Sequence, residues 1–393
     1  MQTDTKLPLF VRFRMMRETR FGAFVPVILA LIAIWLYFGI MEPAFLSPRN
    51  FYNLFMQSAV VGILAVGITV VLLLGDIDLS AAATAGVCAA LLAVLIVAGV
   101  PGPIACLVAV ALGIIMGSVQ GLLVAYIGIP SFVVTLAGLL GFQGLMLKIL
   151  GVQGAINMRD PFVRGLTTIS LPPEMGWGLA AIGAVTFAFV ALRRQAKRKN
   201  RGLEVDSVSA LWLQIALFAV VVAAAVYMLN DYKGVPLLVV LLLFITGLLG
   251  WVTTSTPFGR SLFAVGGNAE SARRVGMNVK RVRVAAFAIV GMMAAIGGIV
   301  GASRYASVSF NAFAGGPLLL EAIGAAVIGG TSLFGGRGSV WNAILGALVI
   351  GSLGNGLDLS GASAADKLMF SGAILLLAVA IDALSRAGSG QSR

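Results

Sequence analysis

Residues 79–147 read LSAAATAGVCAALLAVLIVAGVPGPIACLVAVALGIIMGSVQGLLVAYIGIPSFVVTLAGLLGFQGLML, a run of 69 residues without Asp, Glu, Lys or Arg. A helix needs about 20 apolar residues to cross the hydrocarbon core of a bilayer, so this run has room for about three crossings. Proline and glycine interrupt it at residues 101–103 and 128–130, and both interruptions are turn signals. The stretch therefore predicts three consecutive membrane-spanning helices.

The composition of the whole chain supports the same class. Of its 393 residues, 60% are hydrophobic and 11% are charged, and the mean hydropathy is +1.03. Soluble domains are about 45–50% apolar and about 25% charged, so a water-soluble globule and a disordered chain are both excluded. We predict an all-α fold, a polytopic helical membrane protein with about 10–12 hydrophobic segments, some of them broken or re-entrant. Residues 1–393 are expected to form one transmembrane domain.

The predicted spans share low charge and a length of about 20 residues. They are 22–41, 55–74, 79–100, 104–127, 131–150, 175–192, 211–229, 235–252, 284–303, 317–333, 339–357 and 367–384. Two of them have an alternative interpretation. Segment 317–333 is short and glycine-rich and fits a re-entrant element, and segment 79–100 fits half of a broken helix.

The positive charges predict the orientation. If the N-terminus is cytoplasmic, the inner segments are the N-terminal segment 1–20, the basic loop 193–210, the loop 253–283, residues 334–338 and the tail 385–393. These segments hold 20 of the 27 Lys and Arg residues, against six in the outer loops. Cytoplasmic loops of membrane proteins carry such an excess, so both termini are predicted to be cytoplasmic. The same rule explains the net charge of +12 without a nucleic-acid partner.

The loop 253–283 contains the signals of a short, capped helix. Asn268 suits the N-cap, Glu270 the positively polarised first turn, Arg273 and Arg274 the last turn, and Gly276 the position after the C-cap. A helix of about seven residues is not stable alone, so either the bundle or a docked protein must hold it. A plain connector is the alternative. The candidate residues of this loop are Gly267, Asn268, Glu270, Ala272, Arg273, Arg274 and Gly276.

Two breaks in the apolar pattern supply further candidates. Residues 75–80 (GDIDLS) interrupt one long apolar stretch, and residues 329–338 contain five glycines. Because ionisable groups cost roughly 3 kcal/mol inside a bilayer, they usually mark function or a water-filled cavity. The first break fits equally a cytoplasmic turn with helix-capping side chains and a lining of the substrate pathway. The pathway or gating candidates are Asp76, Asp78, Ser80, Glu321, Thr331 and Ser332.

The sequence lacks the residues that several kinds of chemistry require. The chain has no histidine, no G-x-x-x-x-G-K-[ST] phosphate-binding loop, no G-x-S-x-G nucleophile elbow and no acidic cluster suited to a metal. We therefore predict no catalytic residues and no metal site. Transport driven by a separate protein fits best. The alternatives are an autonomous secondary carrier or channel for a small polar solute and, third, a membrane-embedded enzyme or scaffold.

Three segments carry a resemblance to a known family. They are residues 75–80, residues 258–276 and residues 325–336 (AAVIGGTSLFGG). From about residue 50 to 384 the sequence resembles the membrane-spanning permease of bacterial ABC importers for ribose, arabinose, galactose and xylose, and the basic insert near 193–201 resembles the xylose-type members. One departure stands out, because the family usually shows GGIDLSVG and Asp76 here replaces the second glycine.

The resemblance implies a function and its partners. A non-catalytic permease subunit of this family moves a monosaccharide, here a pentose such as D-xylose, across the bacterial inner membrane by alternating access. Two permease copies pair with an ATP-binding subunit that has tandem nucleotide-binding domains, and a periplasmic or lipoprotein sugar-binding protein delivers the sugar. ATP and Mg²⁺ bind the ATPase, so this chain needs no cofactor. The segment 268–276 would dock into the ATPase.

Overall fold

The computed structural model of the chain describes residues 25–202, 207–314 and 317–387. The described part is almost entirely helical, which confirms the predicted all-α class. The predicted cytoplasmic segment 1–20 and most of the tail 385–393 lie outside the described residues.

The helices follow one another along the chain with short connections. They are α1 (Val25–Met41), α2 (Pro48–Leu73), α3 (Ala81–Val97), α4 (Gly102–Leu122, prolonged by a π turn over Leu123–Ile127), α5 (Ser131–Leu150), α6 (Pro161–Thr168), α7 (Pro173–Lys199), α8 (Val208–Asn230), α9 (Leu237–Ser255), α10 (Pro257–Gly267), α11 (Ala269–Arg274), α12 (Val279–Tyr305), α13 (Phe310–Ala314), α14 (Pro317–Ile328), α15 (Val340–Leu359) and α16 (Ala364–Ala387).

Four short strands accompany the helices. They are β1 (Ala155–Asn157), β2 (Ser170–Leu171), β3 (Val235–Pro236) and β4 (Ser307–Ser309). They form two antiparallel pairs, in which Ile156 lies opposite Val308 and Leu171 lies opposite Val235. Neither pair is predicted by the sequence.

Within the described residues, nine helical stretches are long and apolar enough to cross a membrane. Residues Pro26–Met41 and Ala81–Val97 form two shorter apolar helices. The chain is therefore a multi-pass membrane protein, as predicted. Helix α2 is the most buried candidate span, whereas α7 and α8 are mostly exposed. These two helices form a peripheral hairpin, in which the ring centroids of Phe187 and Phe218 lie 4.2 Å apart.

Local sequence sets the ends of the central helix α2. The side chain of Ser47 accepts a hydrogen bond from the Asn50 N–H at 3.3 Å, and Pro48 occupies the first turn, where its missing N–H costs nothing. The helix stops before Gly75, which has φ = +78°. Glycine enters this left-handed region without the steric penalty of a Cβ atom.

Helix α12 forms the centre of the bundle and packs against α2, α3 and α4. Its contact with α4 depends on glycine, because small residues let the backbones of membrane helices approach closely. A Cβ atom on Gly117 would lie 2.2 Å from the Phe287 carbonyl oxygen, and one on Gly291 would lie 2.0 Å from the Gly113 carbonyl oxygen. The two helix backbones are therefore in direct contact.

The connections between helices lie at two ends of the bundle, and each end has its own set of contacts. At the coupling end, defined by residues 73–80, 256–278 and 329–339, backbone groups from the three segments touch one another. At the opposite end lie the two strand pairs, α6 and the hydrogen bond between the hydroxyls of Tyr52 and Ser170. The loops that the charge count assigns to the cytoplasm, where described, have their ends on the coupling side.

Three differences from the predicted segments have a local cause in the sequence. Helix α7 continues to Lys199, past the predicted end at 192, because Arg, Lys, Gln and Ala are good helix formers and cations are stabilising in a last turn. The loop 253–283 contains the additional helix α10, whose cap is the Thr256 side chain accepting from the Gly259 N–H at 3.2 Å. Segment 317–333 is helical only to Ile328, before its glycines.

Candidate functional site

The short helix of the loop 253–283 exists, as α11, with the predicted caps. The Asn268 side chain accepts a hydrogen bond from the Ser271 N–H at 2.8 Å. At the other end Gly276 has φ = +84°, and its N–H donates to the Arg273 carbonyl at 3.0 Å. The N–H of Met277 donates to the Ala272 carbonyl at 3.0 Å, which completes a Schellman motif. Both ends of α11 are therefore fixed by its own sequence.

One side of α11 is packed and the other is exposed. Ala272 is 4% exposed and faces the flanking helices, whereas Val275 is 73% exposed. Glu270 forms ion pairs with Arg273 and Arg274, and hydrogen bonding to Arg273 is the main reason that the pKa of Glu270 lies below its ordinary value. The exposed surface thus combines fixed charges with an apolar side chain, which suits contact with another protein.

The segment before α11 is anchored by glycine contacts. We call Gly75, Gly266, Gly335 and Gly336 the glycine junction. A Cβ atom on Gly266 would lie 1.8 Å from the Leu73 carbonyl oxygen and 2.8 Å from the Gly336 nitrogen. The Gly336 N–H donates to the same Leu73 carbonyl at 2.9 Å. Three segments far apart in sequence therefore meet backbone to backbone at the end of α2.

The segment after α11 is anchored by an ion pair. The Arg283 Nε donates to the Asp76 Oδ2 at 2.8 Å, and the two side chains are 30% and 10% exposed. Arg283 lies in the second turn of α12, and Asp76 lies in the first break. The structure thus brings one predicted pathway candidate, Asp76, against α12, the helix that follows α11.

Asp78 and Ser80 organise the start of α3. The Asp78 Oδ1 accepts from the Ser80 N–H at 2.8 Å and from the Ser80 hydroxyl at 2.7 Å, and the Gln120 Nε2 donates to the Ser80 oxygen at 2.8 Å. All three side chains are buried. Ser80 occupies the N-cap of α3 but makes no side-chain cap bond, because its hydroxyl is engaged by Asp78. Their role in a pathway stays a prediction.

Thr331 and Ser332 lie in the second break, within a closed loop. The Ser332 N–H donates to the Arg337 carbonyl at 3.0 Å. Gly330, Gly335 and Gly336 have φ of +91°, +85° and +73°, which explains why this segment needs glycine. Thr331 is buried against Gly338, and its hydroxyl makes no hydrogen bond within the described residues.

Glu321 does not join the other candidates. It lies near the start of α14 and within electrostatic range of Asp358, which pairs with Lys367 at the opposite end. The six pathway candidates therefore divide into a coupling-end group of five and one residue far from it. No group of three or more His, Cys, Asp or Glu residues in the described ranges is arranged to hold a metal.

Sequence reasoning missed three features. Arg283 was counted only as a positive-inside charge, and Gln120 was overlooked although it is one of the few amide side chains in the uncharged run 79–147. The third is a cleft of about 470 Å³ at the opposite end, between the C-terminal end of α3 and β1, with Gln153 and Asn157 as its polar side chains. Its walls come from distant segments, so no local pattern could reveal it.

Comparison with known proteins identifies the family. Residues 50–379 match the family model described as branched-chain amino acid transport system / permease component. The chain belongs to this permease family. This membership confirms the predicted permease class and the prediction that the chain is a transport component and not an enzyme.

Its curated relatives include sugar permeases. The permease is 40% identical to the xylose transport system permease protein XylH of Escherichia coli K12, over 92% of this chain and 91% of the relative. It is 37% identical to the Haemophilus influenzae XylH, over 91% of this chain and 95% of the relative. It is 31% identical to the autoinducer 2 import system permease protein LsrC of Salmonella typhi, over 81% of this chain and 74% of the relative. No solved structure matches the chain.

Proposed function

We propose that the permease is the membrane subunit of an ATP-binding-cassette importer that moves a pentose, with D-xylose as the first candidate, by alternating access. A separate ATPase supplies the energy. The chain has no phosphate-binding loop of its own, so energy from ATP would have to reach it through a protein contact.

One observation carries the proposal. Helix α11 is too short to persist alone, yet caps fix both of its ends, and its exposed side presents Glu270, Arg273, Arg274 and Val275. The segments on either side are attached to the bundle through Gly266 and Arg283. A rigid, exposed and firmly attached element is what a moving partner needs in order to shift a membrane bundle.

The partners follow from this assignment. We infer an ATP-binding subunit with tandem nucleotide-binding domains at the coupling end, a second copy of the permease, and a periplasmic or lipoprotein sugar-binding protein at the opposite end. The protein would reside in the inner membrane with both termini in the cytoplasm. ATP can bias the two conformations only if the ATPase binds them with different affinity.

Reconstitution tests the proposal. The permease, its ATPase and its sugar-binding protein are placed in liposomes, and D-xylose uptake and ATP hydrolysis are measured together. We expect Val275→Asp and Arg273→Glu to lose ATPase association and uptake while the protein still inserts, since both positions are exposed and carry no packing role.

Arg194→Glu is the matched control. It makes the same charge change on an exposed residue in the basic end of α7, so we expect wild-type uptake. D-xylose flux through the permease alone would overturn the proposal in favour of an autonomous carrier or channel. Uptake of a different monosaccharide but not of D-xylose would overturn only the sugar assignment.

A further inference from the structure

We propose that the Asp76–Arg283 ion pair is a positioning pair that transmits movement of α11 to the connection between α2 and α3. The inference rests on the proposed function, because it assigns the route by which a docked ATPase would act. It also gives a role to Asp76, a position where this chain departs from the sequence that its family resemblance leads one to expect.

The first step is that α11 is anchored on both sides to one short segment. Before α11, Gly266 contacts the Leu73 carbonyl oxygen so closely that a Cβ atom would lie 1.8 Å away. After α11, Arg283 donates to Asp76 at 2.8 Å. Leu73 and Asp76 are three residues apart, so both anchors end on the connection that leaves α2.

Second, only a short, hydrogen-bonded stretch of chain separates α11 from Arg283. Gly276 ends α11, and the Asn278 side chain then caps α12 by accepting from the Arg281 N–H at 3.0 Å. Arg283 lies four residues into α12, about 6 Å along the helix axis at 1.5 Å per residue. A tight loop and the first turn of α12 therefore connect α11 to the ion pair.

The third step is that residues beside Asp76 position two further helices. The Ile77 N–H donates to the Ser131 hydroxyl at 3.4 Å. The Thr135 hydroxyl lies within hydrogen-bond distance of both the Ile77 carbonyl, at 3.2 Å, and the Ser131 carbonyl, at 2.9 Å. These contacts attach the first break to α5. Asp78 holds Ser80 at the start of α3. A displacement of Asp76 would therefore reach α3 and α5, besides α2.

Fourth, burial affects the strength of the ion pair. Exposed ion pairs contribute little to stability, because water screens them and two long side chains lose conformational freedom when they pair. This pair is largely shielded on the carboxylate side, where Asp76 is 10% exposed. Removing Arg283 leaves a poorly solvated carboxylate on Asp76, so the attachment is costly to break. The ion pair is thus suited to transmit a displacement of α12 to the connection between α2 and α3, which a weaker surface contact would not do.

A double-mutant cycle in the complete reconstituted importer tests the inference. We expect Asp76→Asn and Arg283→Gln each to lower D-xylose molecules moved per ATP hydrolysed by at least about fivefold, the lower range of allosteric coupling. ATPase association should stay at the wild-type level, because neither residue lies on the exposed side of α11. The exchanged pair Asp76→Arg with Arg283→Asp should regain more of this ratio than either single charge reversal.

The control is Asp358→Asn, the same carboxylate-to-amide change in the ion pair with Lys367 at the opposite end, which should leave the ratio unchanged. Monodispersity in detergent identifies variants that fail to fold. Arg283→Lys, which keeps the charge and can still pair with Asp76, should retain more of the ratio than Arg283→Gln. A wild-type ratio in folded Asp76→Asn or folded Arg283→Gln refutes the relay. If the wild-type permease binds no ATPase at all, the proposed function fails instead.

Discussion

Gly266 brings the C-terminal end of α10 into backbone contact with the end of α2. A methyl group there would overlap the Leu73 carbonyl oxygen and the Gly336 nitrogen, both of which belong to backbone that cannot rotate away. Its neighbour Gly267 is exposed and has open space where a Cβ atom would point. Two adjacent glycines therefore have different requirements, although a sequence pattern treats them alike.

We expect Gly266→Ala to destabilise the folded permease by about 1–3 kcal/mol, the usual cost of overpacking a tight contact. Gly267→Ala should change the free energy of unfolding by about 0.5 kcal/mol or less, as surface substitutions do. Thermal unfolding of both variants in detergent measures the difference. Equal melting temperatures for the two variants would contradict the close approach that the glycine junction requires.

Helices α2 and α15 are joined by a buried polar seam. The Asn50 Nδ2 donates to the Asn355 Oδ1 at 2.7 Å, and the Asn355 Nδ2 donates back to the Asn50 Oδ1 at 3.0 Å. The Trp35 Nε1 donates to the Ser352 hydroxyl at 2.9 Å and adds α1 to the same seam. Polar side chains are effective between membrane helices because lipid offers them no hydrogen bonds.

At the scale of these elements, we expect Asn50→Ala and Asn355→Ala to be non-additive. Each single substitution removes the same reciprocal pair, so the double variant should be more stable than the sum predicts, by on the order of 1 kcal/mol. Unfolding in detergent mixtures supplies the four free energies. Asn50→Ala combined with Thr253→Ala, on α9 and not hydrogen-bonded to this seam, is the control and should be additive. Additivity in the amide pair would show that the seam contributes nothing.

The whole molecule has two chemically different ends. The coupling end carries α11, the glycine junction and the basic end of α7, whereas the opposite end carries the strand pairs and the cleft that contains Gln153. The excess of Lys and Arg in the loops of the coupling end predicts that this end faces the cytoplasm.

Thiol labelling of intact cells tests this orientation. After Cys88→Ala and Cys106→Ala remove both native cysteines, we expect a membrane-impermeant maleimide to label Gln153→Cys from outside and to leave Arg194→Cys unlabelled. Inside-out vesicles should give the reverse pattern, and the cysteine-free protein should stay unlabelled in both. Labelling of Arg194→Cys from outside would mean that the orientation is inverted.

The membrane class, most of the spans and the caps of α11 follow from the sequence alone, because each depends on residues close together in the chain. Hydrophobic runs report burial in lipid, and Asn268 and Gly276 act within one helical turn. Local patterns also located residues 75–80 and 329–338 as breaks in the apolar segments. They failed at the end of α7, where helix-forming basic residues resembled a solvated loop.

Contacts among these local features depend on the packing of the whole bundle. Asp76 and Arg283 are 207 positions apart, and Asn50 and Asn355 are 305 apart, so no periodicity or spacing relates them. The glycine junction depends on how closely three backbones approach, namely the end of α2, the end of α10 and the connection before α15. A single sequence contains the partners, and the folded bundle determines the pairing, because such contacts form only when helices from distant segments are brought side by side.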